Sequence, residues 1–65
     1  MHVKNKVRMY RAMTNLTQEE LAKKLGVSRQ RMVAIESESS DPSLELALRM
    51  ARFFKVRVED LFSLD

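Results

Sequence analysis

Apolar residues recur along this chain at helical spacing, in short stretches separated by residues that begin or end helices. The longest stripe consists of Leu44, Ala47, Met50, Ala51 and Phe54, which fall on one helix face. The pattern predicts five short helices. They run from about Asn5 to Met13, from the Thr17 cap to Leu25, from the Ser28 cap through Ile35, from Asp41-Pro42-Ser43 through Phe54, and from about Val58 to Phe62.

Residues that favour helix ends mark the boundaries. Thr17 and Glu20 have the spacing of a capping box, in which each side chain accepts a hydrogen bond from the other residue's amide. Gly26 is the only glycine, and it lies where the second helix must stop in a left-handed turn. The other predicted boundary residues are Asn15 after the first helix, Ser28 before the third, and Asp41 or Ser43 before the fourth, with Pro42 in its first turn.

Five helices without a convincing strand run predict an all-α fold, and 65 residues are enough for one domain, 1–65, and not for two. A short strand pairing Val3 with the Ser63-Leu64 end remains an alternative for the termini. The second and third helices are joined by a tight turn from Leu25 to Ser28. This is the geometry of a helix-turn-helix, whose second helix lies in the major groove of DNA.

The composition excludes several classes of protein. There is no cysteine, and His2 is the only histidine, so zinc fingers and disulfide scaffolds are ruled out. The carboxylates form no catalytic or metal-ligating constellation, and we therefore predict no enzyme, no cofactor and no metal. No apolar run is long enough to span a membrane, and no signal-peptide region follows the N-terminus. The lack of cysteine is consistent with the cytoplasm.

Charge is unevenly distributed along the chain, whose net charge is +3. Residues 1–31 contain eight basic and two acidic residues, a net charge of +6, whereas residues 32–65 contain four basic and seven acidic residues, a net charge of −3. A basic half on a small domain indicates a polyanionic partner. Charge alone is equally consistent with an ordinary solvated surface.

Three segments carry a resemblance to a known family. Residues from Thr17 to Gln30 with Ile35-Glu36, from Pro42 to Leu48, and from Val58 to Phe62 closely resemble the Cro/CI-type (Xre-like) helix-turn-helix regulators. The resemblance covers about Asn5 to Phe62. It implies a lambda-repressor-like domain that binds double-stranded DNA sequence-specifically. Such proteins are usually repressors, and several compact members are symmetric homodimers.

The resemblance also implies roles for individual residues. Gln18 lies where the family bonds a phosphate, Arg29 and Gln30 where it reads base edges, and Ser28 where a hydroxyl caps the recognition helix and meets backbone or base. Arg11 and Glu36 match positions that form a largely buried ion pair. The chemistry of the side chains adds two further contacts. Arg31 is a predicted phosphate ligand, and the Ala34 methyl could meet a thymine methyl.

The segment after Glu36 departs from the family pattern, which often has Asn-Gly followed by lysine. Here Ser37-Glu38-Ser39-Ser40-Asp41 follows, so the glycine and the basic residue are both missing. Ser37 and Ser39 can still donate to phosphate. Glu38 and Asp41 should weaken affinity for a polyanion. Arg57 replaces a common serine cap of the fifth helix, which predicts a poor cap.

Four apolar residues remain once the core is assigned, and they predict a dimer surface: Leu46, Phe53, Phe62 and Leu64. A twofold dimer would hold two recognition helices about 34 Å apart and would read a palindromic operator. We interpret Met9, Met13, Met32 and Met50 as core residues. Two alternatives stay open: an antitoxin-like module that binds a partner protein, and a helix-turn-helix retained only as a dimerisation scaffold.

Overall fold

The computed structural model describes residues 2–65, and helices occupy most of them. The elements in chain order are β1 (Val3–Asn5), α1 (Val7–Met13), α2 (Gln18–Leu25), α3 (Arg29–Glu36), α4 (Leu44–Phe54), α5 (Val58–Leu61) and β2 (Phe62–Leu64). The five predicted helices are therefore present, and the all-α class fits, with a two-stranded sheet added at the termini.

The sheet joins the two ends of the described chain. Strands β1 and β2 pair antiparallel with Val3 opposite Leu64 and Asn5 opposite Phe62, which is the alternative that the sequence left open. Pairing also shortens two predicted helices. Helix α1 begins at Val7 rather than at about Asn5, and α5 ends at Leu61 because the next residue enters the strand.

Local capping fixes both ends of α2. The Glu20 amide donates to Thr17 Oγ1 at 3.0 Å, and the Thr17 amide donates to the Glu20 carboxylate at 2.8 Å. That backbone hydrogen bond lowers the pKa of the Glu20 carboxyl. Gly26 ends the helix with φ of +72°. A Cβ added there would meet Arg49 Nη2 at an ordinary 3.7 Å, so the left-handed backbone and not the space requires glycine.

Helix α4 is rotated relative to the sequence prediction. Ser43 Oγ accepts from the Leu46 amide at 3.1 Å, so Ser43 is the cap and Pro42 precedes it. Leu46 is only 3% exposed and belongs to the core, whereas Leu44 is 74% exposed. The assignments of Leu46 to a dimer surface and of Leu44 to the core were therefore wrong. Leu46 lies four residues before the fully buried Met50 and shares its face, while Leu44 lies in the first turn.

The core is one cluster contributed by all five helices. Its fully buried large side chains are Val7, Leu21, Met32, Ile35, Met50 and Leu61. Two methionines predicted for the core are instead exposed, Met9 at 47% and Met13 at 69%. Helix α1 buries one residue, Val7, so most of its apolar positions face solvent. Helix α3 packs against the core through the face that carries Met32 and Ile35, and its opposite face is open to solvent.

Candidate nucleic-acid interface

The first turn of α3 is presented to solvent. Ser28 Oγ accepts from the Arg31 amide at 3.1 Å, and its carbonyl accepts from Met32, so the helix begins at Arg29 with a complete cap. Arg29, Gln30 and Arg31 are all exposed. Within residues 2–65, no hydrogen bond or ion pair engages their side chains. Their donors are therefore available to a ligand.

Val33 lies between Arg29 and Gln30 on the exposed face of α3. It is 40% exposed and lines a shallow depression with those two residues. Sequence reasoning missed it, although its spacing of four residues from Arg29 and three from Gln30 places it on their face. Ala34 is only half-exposed. The apolar group beside the predicted base-reading pair is therefore Val33, and Ala34 lies further round the helix.

Glu36 holds three helices together beside this surface. Its side chain is fully buried, and its carboxylate accepts from Arg11 Nε at 2.7 Å and Arg11 Nη2 at 3.2 Å. Gln18 Nε2 donates to the same carboxylate at 3.1 Å. Arg11 also donates through Nη1 to the Leu16 carbonyl at 2.8 Å. A bidentate pair of this kind restricts both angle and distance, so the end of α3 is fixed to α1 and to the start of α2.

Gln18, which the sequence assigned to a phosphate, is thus also bonded to a carboxylate within the chain. Its amide nitrogen carries two hydrogens, and the contact with Glu36 uses one. The second remains available at a cleft lined by Arg11, Thr17, Gln18, Glu19 and Arg29. The cleft lies where the starts of α2 and α3 come together. Gln18 and Arg29 therefore lie on one surface.

The serines after α3 use their hydroxyls to close the helix. Ser37 Oγ and Ser39 Oγ donate to the Ala34 carbonyl at 3.1 and 3.2 Å and lie 3.1 Å from each other. Their donors point back to the helix end, so the phosphate contacts that the sequence predicted for Ser37 and Ser39 would require both side chains to turn outward.

Glu38 occupies the left-handed position of the missing glycine, with φ of +66°. Its carboxylate accepts from the Asn5 amide and from His2 Nε2, each at 2.9 Å, and Asn5 Nδ2 donates to the Ile35 carbonyl at 2.8 Å. Strand β1 is thereby tied to the end of α3. The hydrogen bond with His2 lowers the pKa of Glu38 and raises the pKa of His2. Sequence reasoning assigned no role to His2, because strand pairing was needed to bring it here.

The remaining predicted dimer residues differ in exposure. Leu64 is 61% exposed, while Phe53 and Phe62 are half-buried against the core. Two further exposed apolar side chains on α4 were missed, Leu44 at 74% and Leu48 at 53%. The sequence could have indicated them, since Leu44 and Leu48 are four residues apart and must share a face.

Residues 2–65 show neither a membrane-spanning helix nor a metal site. Over that range, no helix has the length and apolar character needed to cross a membrane. The same residues contain no cluster of three or more side chains suited to holding a metal ion.

Helices α2 and α3, the left-handed turn at Gly26 and the exposed first turn of α3 together define a helix-turn-helix DNA-binding domain. A family model described as helix-turn-helix matches residues 7–61. The chain belongs to the Cro/CI-type (Xre-like) helix-turn-helix family of transcriptional regulators, and it is not an enzyme.

Similar proteins agree with this assignment. The chain is 62% identical over 60 residues to an uncharacterized HTH-type transcriptional regulator of Methanocaldococcus jannaschii, covering 92% of this chain and 91% of that protein. A crystal structure of a hypothetical transcription factor from Neisseria matches with a TM-score of 0.74 and 28% identity, covering 83% of this chain and 62% of the other. A Bacteroides fragilis crystal structure shares the fold, with a TM-score of 0.83 and 24% identity over 94% and 98% of the two chains.

Proposed function

We propose that this protein is a sequence-specific repressor that binds a palindromic operator in double-stranded DNA as a homodimer. The observation that carries the proposal is the pair Arg29 and Gln30, exposed and without intramolecular partners among the described residues, in the first turn of a capped recognition helix. The first turn is the part of such a helix that reaches base edges in the major groove. A protein acting on chromosomal DNA works in the cytoplasm, where we place it.

Each exposed side chain of α3 has a contact suited to its chemistry. Arg29 is assigned a bidentate pair with guanine and Gln30 a similar pair with adenine, each worth about 1–3 kcal/mol of discrimination. Arg31 is assigned a phosphate, which positions the helix without reading sequence. Val33 supplies the apolar contact with a thymine methyl, with Ala34 at the edge of that contact.

Contacts with the DNA backbone at the starts of α2 and α3 complete the interface. The free amide hydrogen of Gln18 donates to a phosphate while Glu36 holds the side chain in place. The Ser28 hydroxyl already accepts from the Arg31 amide and retains its own hydrogen for DNA. The Arg11–Glu36 pair supports both contacts by fixing the end of α3 to α1.

The small size of the interface favours a dimer, and a dimer bound to DNA is suited to repression. One recognition helix presents few base-reading side chains, and two copies on an inverted repeat double that number. Half-sites should lie about one helical turn, roughly 34 Å, apart. Repression requires only that the bound dimer occupies DNA that the transcription machinery needs. No second site on the described residues is required for this mode of action.

Selection of bound sequences from a random duplex library tests the proposal. We expect an inverted repeat whose half-sites are about one turn apart and each contain a guanine and an adenine in neighbouring positions. Placing the selected sequence across a promoter should reduce transcription when the protein is present, and an increase would contradict the repressor role. Failure to enrich any sequence, together with purification of a stoichiometric protein partner, would favour the antitoxin-like module.

A further inference from the structure

The outward face of α4 carries apolar side chains that the fold does not cover. Leu44 and Leu48 lie four residues apart and are 74% and 53% exposed. They line one depression together with Glu45, Arg49 and Arg52. The opposite face of the helix supplies Leu46, Ala47, Met50 and Ala51 to the core. Helix α4 therefore has a second, solvent-facing surface in which leucines and charges alternate, which we call the α4 face.

The charges of the α4 face have no partners within the described chain. Over residues 2–65, no ion pair within 4.0 Å engages Glu45, Arg49 or Arg52. Glu45 lies in the first turn of α4, Arg49 at its middle and Arg52 in its last turn. Because Glu45 and Arg52 lie towards opposite ends of α4, a second copy turned end to end brings each acid opposite a base.

A twofold axis between Leu48 and Arg49 gives Glu45 and Leu48 of this face partners on a second copy. Antiparallel packing about that point brings Glu45 opposite Arg52 of the second copy, because 45 and 52 are equally far from the axis. The two Leu48 side chains meet next to the axis, about 1.5 Å apart along the helix direction. Two Glu45–Arg52 pairs then flank the two Leu48 side chains.

We propose that the α4 face is the surface through which two copies of this chain associate. This inference rests on the proposed function, which requires a dimer, and it names the surface that forms that dimer. A second copy fits better than an unrelated acidic protein, because this face brings its own acid to pair with its own base. Interfaces of this kind place apolar side chains at the centre and charges at the rim. The side chains of Arg29 and Gln30 are on α3 and stay open.

Reversal of the two charges tests the surface and the register together. Glu45→Arg and Arg52→Glu each place like charges opposite one another twice per dimer, and each should weaken self-association at least about tenfold. The double variant Glu45→Arg with Arg52→Glu exchanges the two partners and should restore association to within about threefold of the original. Sedimentation equilibrium over a concentration series measures the dimer dissociation constant for each protein.

Two controls separate the interface from folding. Glu59→Arg reverses an exposed acid on α5, outside the proposed surface, and should leave the dimer dissociation constant unchanged. All the replaced positions are on exposed surface, so circular dichroism and thermal unfolding should be close to those of the unaltered chain. A variant that loses association while keeping its unfolding temperature reports on the interface.

The outcomes distinguish this inference from the proposed function. Three results would each overturn the proposal that the α4 face joins two copies. They are a monomer at every concentration, single variants that associate normally, and a double variant that stays monomeric. An operator selected by the unaltered chain would leave its sequence-specific DNA binding standing in all three cases. Conversely, rescue by the double variant with no DNA sequence selected would support the surface and contradict the function.

Discussion

Arg11 and Glu36 form a two-pronged ion pair across 25 positions of sequence, with Nε to Oε2 at 2.7 Å and Nη2 to Oε1 at 3.2 Å. The Glu36 side chain is fully buried and the Arg11 side chain is 17% exposed. Glu36 is the last residue of α3, so this contact fixes the end of the recognition helix opposite to the one that faces DNA. The orientation of Arg29 and Gln30 depends on it.

Removing the arginine should leave a buried charge unpaired. Arg11→Ala is expected to lower the free energy of unfolding by about 3–5 kcal/mol, which is most of the stability of a domain of this size. Urea unfolding at neutral pH measures the change. Arg8→Ala is the matched control, because Arg8 is 71% exposed and 3.8 Å from the same carboxylate. It should cost less than about 1 kcal/mol, and equal losses from the two variants would contradict the assignment.

The Ser28 cap allows stability and DNA binding to be changed separately. Ser28→Ala removes the acceptor for the Arg31 amide and should cost about 1 kcal/mol. Ser28→Asp restores a good capping acceptor and should recover most of that stability. The aspartate adds a negative charge near phosphate, so DNA affinity should fall below that of the alanine variant. Chemical unfolding and DNA titration provide the two readouts. If Ser28→Asp bound DNA as well as the original, Ser28 would not face DNA.

Two left-handed positions should respond to substitution in opposite directions. Gly26→Ala forces a side chain into φ of +72° and should destabilise the protein by about 1 kcal/mol or more. Lys55 already adopts φ of +59° at the end of α4, and Lys55→Gly should stabilise by up to about 1 kcal/mol. Thermal unfolding compares the two. A stabilising Gly26→Ala would show that the turn does not need its left-handed conformation.

The contact between His2 and Glu38 should make stability depend on pH. The pKa of His2 is raised by its hydrogen bond to Glu38. Its contribution to folding stability is therefore complete below pH 6.5, the ordinary pKa of histidine, and disappears as pH rises through the folded-state pKa. The pKa of Glu38 is lowered by the same bond, so its contribution is present above 4.5 and disappears as pH falls through the folded-state pKa. The combined contribution of the two groups to folding stability is greatest between pH 4.5 and pH 6.5.

Urea midpoints at about pH 5.5 and about pH 8.5 check this dependence. The original chain should be more stable at the lower value, with Asp65 and Asp41 adding to the attraction for protonated His2. His2→Ala should reduce the difference while retaining the Asn5 amide bond to Glu38. An unchanged difference in the variant would assign the dependence to other groups.

Local chemistry allowed much of the helix-turn-helix to be predicted. The capping box of Thr17 and Glu20, the left-handed Gly26 and the Ser28 cap each involve atoms within four residues, and the structure has all three. The family resemblance placed Arg29 and Gln30 on the recognition helix, and both are exposed. The roles of these two residues on DNA remain predictions.

Positions set by distant contacts were predicted less well. Leu44 and Leu46 were assigned to the wrong faces, because both fit an apolar stripe and only packing against the core decides between them. The hydrogen bond of the Glu38 carboxylate with strand β1 was not predicted. That contact required the pairing of the two ends of the chain, which three-residue strands signal weakly in sequence.

The central claim is that Arg29 reads a base, and selection from a random duplex library with Arg29→Ala tests it directly. The variant should lose preference at one position in each half-site and keep it elsewhere, at a cost of about 1–3 kcal/mol. Arg31→Ala, the control, should weaken binding to all sequences alike. The slope of the logarithm of the binding constant against the logarithm of the salt concentration should become less steep by roughly 0.9 for each phosphate that is no longer neutralised. If Arg29→Ala selects the same sequence with undiminished preference at every position, α3 does not read DNA as proposed.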